Sequence, residues 1–138
     1  MRFFFYGTLI DPEIRRLVLG RHAPRVVEPA TLRGWRRVPV PAKTYPMIVP
    51  DTAGNVDGIL ARGLNAAARR RLERYEDDLY AVAPVEVGLV DRKRKVLALA
   101  FFAQVSRVPC GAKTWDFAEW QRRHKRRFIQ TLRRRLAA

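Results

Sequence analysis

The sequence predicts an α+β fold: a compact, partly closed sheet of about six short strands, with three helices packed outside it. Three observations carry this reading. The chain opens on the aromatic run Arg2-Phe3-Phe4-Phe5-Tyr6. Residues 26–64 are punctuated by Pro29, Pro39, Pro41, Pro46 and Pro50 and by Gly34, Gly54 and Gly58, which excludes long helices there. Residues 115–136 carry Phe117, Trp120, Phe128, Leu132 and Leu136 at three- and four-residue spacing, a helical stripe.

Taken in order, residues 2–6 read as a buried strand that Gly7 ends. Asp11 caps a short helix with Pro12 at its first position, an apolar face of Ile14, Leu17 and Val18, and Gly20 at its end. Residues 26–64 read as short strands joined by turns, the last strand being 56–64 after a turn at Asp51–Asn55. Asn65 caps a helix running to about Tyr75, with Leu64, Ala68, Leu72 and Tyr75 as its buried stripe. Residues 80–90 and 95–105 form a hairpin around the charged turn Asp91–Lys95. The final helix spans about Trp115 to Leu136.

The length, 138 residues, fits one domain over 1–138 that can bury a substantial core. The longest apolar run, Val96 to Ala103, is strand-sized, so no membrane-spanning helix is expected. The N-terminus shows no signal-peptide cleavage pattern, and a cytoplasmic location is expected. Cys110 is the only cysteine, which rules out an intramolecular disulfide.

Charge is pronounced: 28 Lys and Arg against 13 Asp and Glu, net +15. Residues 115–138 contribute 8 basic and 2 acidic residues, so most of the excess lies elsewhere along the chain. Such a balance attracts nucleic acid, anionic membrane or acidic small molecules without choosing among them. The stretch QRRHKRRFIQTLRRR (121–135) makes nucleic-acid binding an alternative function, although its apolar stripe assigns one side of that helix to the core.

Generic chemistry is sparse. His22 and His124 have no metal-ligand spacing, Ser106 has no nucleophile-elbow glycines, and there is no P-loop or dinucleotide fingerprint. Two segments remain. Tyr6-Gly7-Thr8-Leu9 joins the first strand to the first helix, where backbone amides are natural donors to a carboxylate or oxyanion; such turns also occur for purely structural reasons. In Tyr75-Glu76-Asp77-Asp78-Leu79-Tyr80, Glu76 falls at the end of a helix, beside two aspartates. The helix dipole, the aspartates and any burial all raise its pKa, which makes it a candidate general base. By itself the segment also fits a solvated acidic loop.

Together with ATLRGW (30–35), TYPMIVP (44–50), GNVDGIL (54–60) and LERYEDDLYAVAPVEV (72–87), these segments resemble the gamma-glutamylcyclotransferase-like superfamily. The resemblance is to its compact AIG2-like branch, which includes gamma-glutamylamine cyclotransferase, and covers about residues 3–105. It implies a small mixed β-barrel flanked by helices. It also implies an activity without metal or organic cofactor. The α-amine of a gamma-glutamyl amide attacks its own γ-carbonyl, expels an amine and closes the lactam 5-oxoproline. By resemblance Glu76 takes the catalytic position, and Tyr6, Gly7, Thr8 and Leu9 the substrate-binding loop. Tyr80 and Tyr45 are further candidates for lining the substrate pocket, Tyr80 either by bonding Glu76 or as wall. Two positions depart from the pattern: Asp77 stands where Gly is common, and Val82 where Arg is often found. A binder that holds a small acidic metabolite at the YGTL loop without processing it is the third reading.

Overall fold

The computed structural model describes residues 1–89, 93–104 and 113–137. Five strands close a barrel in the order β1-β3-β2-β4-β5. They are β1 (Phe3–Phe5), β2 (Val27–Pro39), β3 (Pro46–Ala61), β4 (Tyr80–Leu89) and β5 (Arg94–Ala103). Four helices flank it: α1 (Pro12–Leu19), α2 (Ala66–Glu76), α3 (Phe117–Arg123) and α4 (Lys125–Ala137). The barrel is mixed because β1 runs antiparallel to β3 but parallel to β5, with Phe3 opposite Leu99.

The aromatic run fills both sides of the barrel wall. Side chains alternate along a strand, so Phe4 and Tyr6 enter the barrel interior with Leu32, Val56, Leu60 and Val87. Phe3 and Phe5 face outward into a second core shared with Ile14, Val18, Leu72, Trp120 and Leu132 of the helices. A strand buried on both faces needs an unbroken apolar sequence. Phe3-Phe4-Phe5-Tyr6 supplies it.

The strand count is five, not about six, because residues 26–64 form two long strands and not several short ones. β2 and β3 pair from Val27↔Ala61 to Pro39↔Pro46. The prolines are tolerated where no ladder N–H is needed: Pro39 and Pro46 close the strand ends, Pro50 adjoins an irregularity, and Pro29 lies outside the two-residue β2–β4 ladder. The turn expected at Asp51–Asn55 is an irregularity within β3. Arg33 pairs with Asn55 and Trp35 with Pro50, with Gly34 at φ +88° on the facing strand. This break carries the outer half of the hairpin, with Tyr45 and Pro46 at its tip, over the barrel end. There Val38, Val40, Met47 and Val49 form a small third core against Leu79 and Tyr80.

The two expected caps are present. The Asp11 carboxylate accepts the amides of Glu13 and Ile14 at the start of α1, and the Asn65 side chain accepts the Ala68 amide at the start of α2. Leu64, Ala68 and Leu72 are buried as the stripe requires. The β4–β5 hairpin is in register from Tyr80↔Ala103 to Leu89↔Arg94. Residue 90 of the expected strand and residues 91–92 of the expected turn lie outside the described residues, as do Ser106 and Cys110.

The C-terminal helix is interrupted. Asp116 caps α3, and His124 ends it before α4 begins. At this break the Lys125 ammonium reaches the fully buried Asp11 carboxylate at 2.7 Å, where the Gln121 amide donates at 3.0 Å. Burial alone pushes the Asp11 carboxyl up; hydrogen bonds from Lys125, Gln121 and the Ile14 amide outweigh it, and the net direction is down. Trp115 precedes α3 and bonds the hairpin, donating its backbone amide to Arg37 O and its indole N–H to Thr44 O. The stripe buries Trp120 and Leu132, but Leu136 is 44% exposed. No helix among the described residues is long and apolar enough to cross a membrane.

Candidate active site

One cavity of about 190 Å³ gathers every residue that the sequence nominated. Tyr6, Gly7, Thr8 and Leu9 form one wall, Tyr45 and Pro46 a second, and Tyr75, Glu76, Asp77, Leu79 and Tyr80 a third. Its volume falls below the roughly 300–1,000 Å³ of drug-sized ligand sites, so it suits a small metabolite.

The loop wall is built by its position in the chain. β1 ends at Phe5, and residues 8–10 make a single 3-10 turn before Asp11 caps α1. Arg37 donates to Tyr6 O at 3.0 Å and to Asp57 O at 2.8 Å, with its guanidinium 5.4 Å over the Trp115 ring. Holding the Tyr6 carbonyl on that side turns the Gly7 N–H to the opposite side of the trans peptide. A Cβ at Gly7 would sit 3.0 Å from Pro46, so glycine lets the hairpin tip close on the loop. The Thr8 hydroxyl shares a 2.6 Å hydrogen bond with the Tyr75 hydroxyl, which ties the loop to α2.

Glu76 is the last residue of α2, and a 3-10 turn, Asp77–Leu79, leads from it into β4. Burial pushes its carboxyl up to about 8, against a smaller lowering by Arg135. The surroundings explain why. Half of the lining residues are aromatic, and among the described residues no hydrogen bond favours the ionised form. The neighbouring aspartates, expected from sequence to contribute, do not: Asp77 and Asp78 are exposed, and burial carries the effect. Burial also pushes the Tyr6, Tyr75 and Tyr80 phenols up, with the Glu76 charge adding to each, so they stay neutral donors.

Tyr80 does not bond Glu76. Its hydroxyl donates to Pro46 O at 2.7 Å and so closes β4 onto the hairpin tip. Tyr6 donates to Phe101 O across the barrel. Both are walls with their hydroxyls already committed. Tyr45 is half-buried at the hairpin tip. No group of three or more metal-ligating side chains occurs among the described residues.

Among the lining residues that the sequence did not nominate, Tyr75, Phe128 and Arg135 bear most on the site. Tyr75 reads from sequence as a helix-packing residue alone. Phe128 and Arg135 come from α4. A seven-residue step from Phe128 places Arg135 on its face of the helix, so the phase of the stripe contains this information. Leu136, one position further on, masks it because an apolar side chain is the more obvious member of the stripe.

The AIG2-like gamma-glutamyl cyclotransferase family matches residues 3–122. The chain belongs to that family. AIG2-like protein A of Arabidopsis thaliana is 30% identical over 131 residues, which span 95% of this chain and 78% of that protein. A solution structure of another Arabidopsis thaliana protein superposes at a TM-score of 0.73, with 28% identity over 94% of this chain and 86% of that one. A structure titled gamma-glutamyl cyclotransferase gives a TM-score of 0.61 at 15% identity, over 75% of this chain and 66% of that one. At that identity the likeness is one of fold. The small mixed barrel with flanking helices is thus the architecture of this family.

Against the family pattern, Asp77 has a structural consequence. It sits at φ +60°, ψ −164°, a region essentially reserved for glycine. Such a conformation costs about 1–3 kcal/mol in a non-glycine residue, and glycine gives back about 0.5–1 kcal/mol in unfolded-state entropy. Asp77→Gly is therefore expected to stabilise the protein by about 1 kcal/mol in urea unfolding. An unchanged or lower midpoint would show that Asp77 is not strained.

Proposed function

We propose that this protein is an enzyme that cyclises a gamma-glutamyl amide, releasing 5-oxoproline and a free amine, with Glu76 as the general acid/base. The observation that supports it most is the cavity itself, whose walls bring together the Tyr6–Leu9 loop and the Glu76 carboxyl that burial pushes up to about 8. Family membership supports the reaction class.

In this reading the substrate α-amine must lose a proton before it attacks the γ-carbonyl. A carboxylate in an apolar pocket is a strong acceptor, and its matched pKa lets the same group return the proton to the departing nitrogen. The N–C bond to the lactam forms as the N–C bond to the leaving amine breaks, and no water is consumed. In the same reading the loop amides bind the substrate carboxylate or the developing oxyanion. Because the attack is intramolecular, much of the acceleration comes from folding the substrate within a small cavity. Tyr6, Tyr75 and Tyr80 supply walls that remain uncharged through the cycle.

The test is mass-spectrometric detection of 5-oxoproline from a panel of gamma-glutamyl amino acids and gamma-glutamyl amines. Product with the parent protein supports the enzyme, and the consumed compound names the leaving amine. A gamma-glutamyl compound that raises the melting temperature and is recovered intact would instead establish a binder.

The same reading fixes a pH dependence. The base form of Glu76 is a minority below about 8. The rate constant kcat/KM is therefore expected to rise about tenfold per pH unit through pH 6–7 and to level above 8. A profile flat from pH 5 to 7 would remove Glu76 as the base.

A further inference from the structure

The last turn of α4 reaches the site from outside the family-matched residues 3–122. Arg135 donates through Nη1 to Tyr75 O at 3.3 Å and through Nη2 to the carbonyls of Tyr75 and Arg74. Its guanidinium lies 6.0 Å over the Tyr75 ring. These carbonyls belong to the last turn of α2, where helix geometry leaves acceptors without intrahelical partners. Arg135 thus grips the two residues before Glu76, and it lines the cavity.

Its own position is fixed independently. Leu132 is buried in the outer core, Phe128 packs edge-on against Tyr75, and Lys125 and Arg133 pair with Glu13. The titratable groups that line the cavity with Glu76 are Tyr6 at the end of β1, Tyr45 from the hairpin tip, Tyr80 of β4 and, from its own helix end, Tyr75 and Asp77. The phenols are neutral. Among the described residues, Arg135 is the one cation lining the cavity.

We propose that Arg135 is a positioning residue for Glu76: from outside the barrel it locks the last turn of α2, of which Glu76 is the final residue. Its charge also favours the carboxylate form of the base. The proposal rests on the reading of Glu76 as the base. It also explains how a solvent-exposed arginine can act on a pocket, since its donors are spent on the backbone that carries Glu76.

The experiment compares the parent with Arg135→Gln, Arg135→Lys and the exposed neighbour Arg134→Gln. Two readouts are used: pH profiles of kcat and KM, and 13C titration of glutamate carboxyls, with Glu76→Gln identifying the Glu76 signal. Arg135→Gln is expected to raise the proton affinity of Glu76 about three- to tenfold, moving its titration midpoint to higher pH. It should lower kcat at pH 7 by a similar factor, with KM little changed. Arg135→Lys should restore most of the titration, because charge survives while the two-carbonyl grip is lost. Arg134→Gln should match the parent. If Arg135→Gln does not fold, added salt serves instead: screening an exposed cation should raise the Glu76 titration in the parent. The proposal is overturned if Glu76 titrates identically in all arms, or if Arg134→Gln moves it as far as Arg135→Gln. A parent that makes no 5-oxoproline would sink the enzymatic reading, while the titration still decides the Arg135–Glu76 coupling.

Discussion

Glu76→Gln is expected to reduce 5-oxoproline formation by about 10²–10⁴-fold, the usual contribution of a positioned acid/base, while the barrel stays folded. The substitution is nearly isosteric and leaves the cavity shape intact. Glutamine can neither accept the α-amine proton nor return one to the leaving nitrogen. The loop amides and the shape of the site remain, so residual turnover above the uncatalysed rate is expected. A variant that cyclises substrate at the parent rate would assign the proton transfer elsewhere.

The same variant has an opposite effect on stability, with a definite sign. The folded protein holds the Glu76 proton up to about pH 8, whereas the ordinary carboxyl value is 4.5. Between those values the folded state binds more protons than the unfolded one, so parent stability falls as pH rises. Above about 8 the carboxylate is ionised in both states and the full desolvation cost stands. Glu76→Gln lacks that cost. A tenfold difference in proton affinity between the folded and unfolded states is worth about 1.4 kcal/mol; the pocket is open at its mouth, so water offsets part of the total. A gain of about 2 kcal/mol at pH 9, vanishing near pH 5, is expected from denaturant unfolding. A gain of the same size at pH 5 would show that packing, and not charge, produced it.

Gly58→Ala is expected to be the most damaging small substitution in the barrel. A Cβ at this position would lie 2.3 Å from the Phe5 carbonyl oxygen and 2.8 Å from the Phe4 ring. Neither is the free end of a flexible chain: one is backbone of β1, and the other is wedged in the barrel interior. Relief requires β1 to move off β3. Overpacking of this kind costs about 3 kcal/mol, which corresponds to a melting temperature lower by roughly 10 °C. Because β1 runs directly into Tyr6-Gly7-Thr8-Leu9, the site should loosen with it, and the Thr8–Tyr75 hydrogen bond is the first contact at risk. A Gly58→Ala protein melting within a degree or two of the parent would show that β1 yields without cost.

Several features are legible in the sequence because their causes are local. Asp11 and Asn65 cap helices by reaching amides two or three residues ahead. The Phe3–Tyr6 run is apolar on both faces, so its burial follows from alternation alone. The Tyr6–Leu9 loop and the Glu76 segment can be nominated as separate pieces, each with a structural explanation equally available. Strand length is not legible: five prolines in residues 26–64 suggest interruptions, yet those within the strands land where the missing N–H is not required. That depends on which neighbour lies alongside, as the two-residue β2–β4 ladder shows for Pro29.

Local sequence was enough for the caps, the buried aromatic strand, the β4–β5 hairpin, and the family that the motif order resembles. Folding in three dimensions was needed to turn Tyr6–Leu9, Tyr45, Glu76 and Tyr80 toward one cavity, to desolvate Glu76 there, and to bring Arg135 rather than Leu136 to its wall. The division has one physical reason. Caps, turns and periodicity act through neighbouring residues. Desolvation of a carboxyl and closure of a barrel depend on groups such as Thr8 and Tyr75, or Tyr6 and Phe101, that lie 67 and 95 positions apart in the chain and meet only once it has folded.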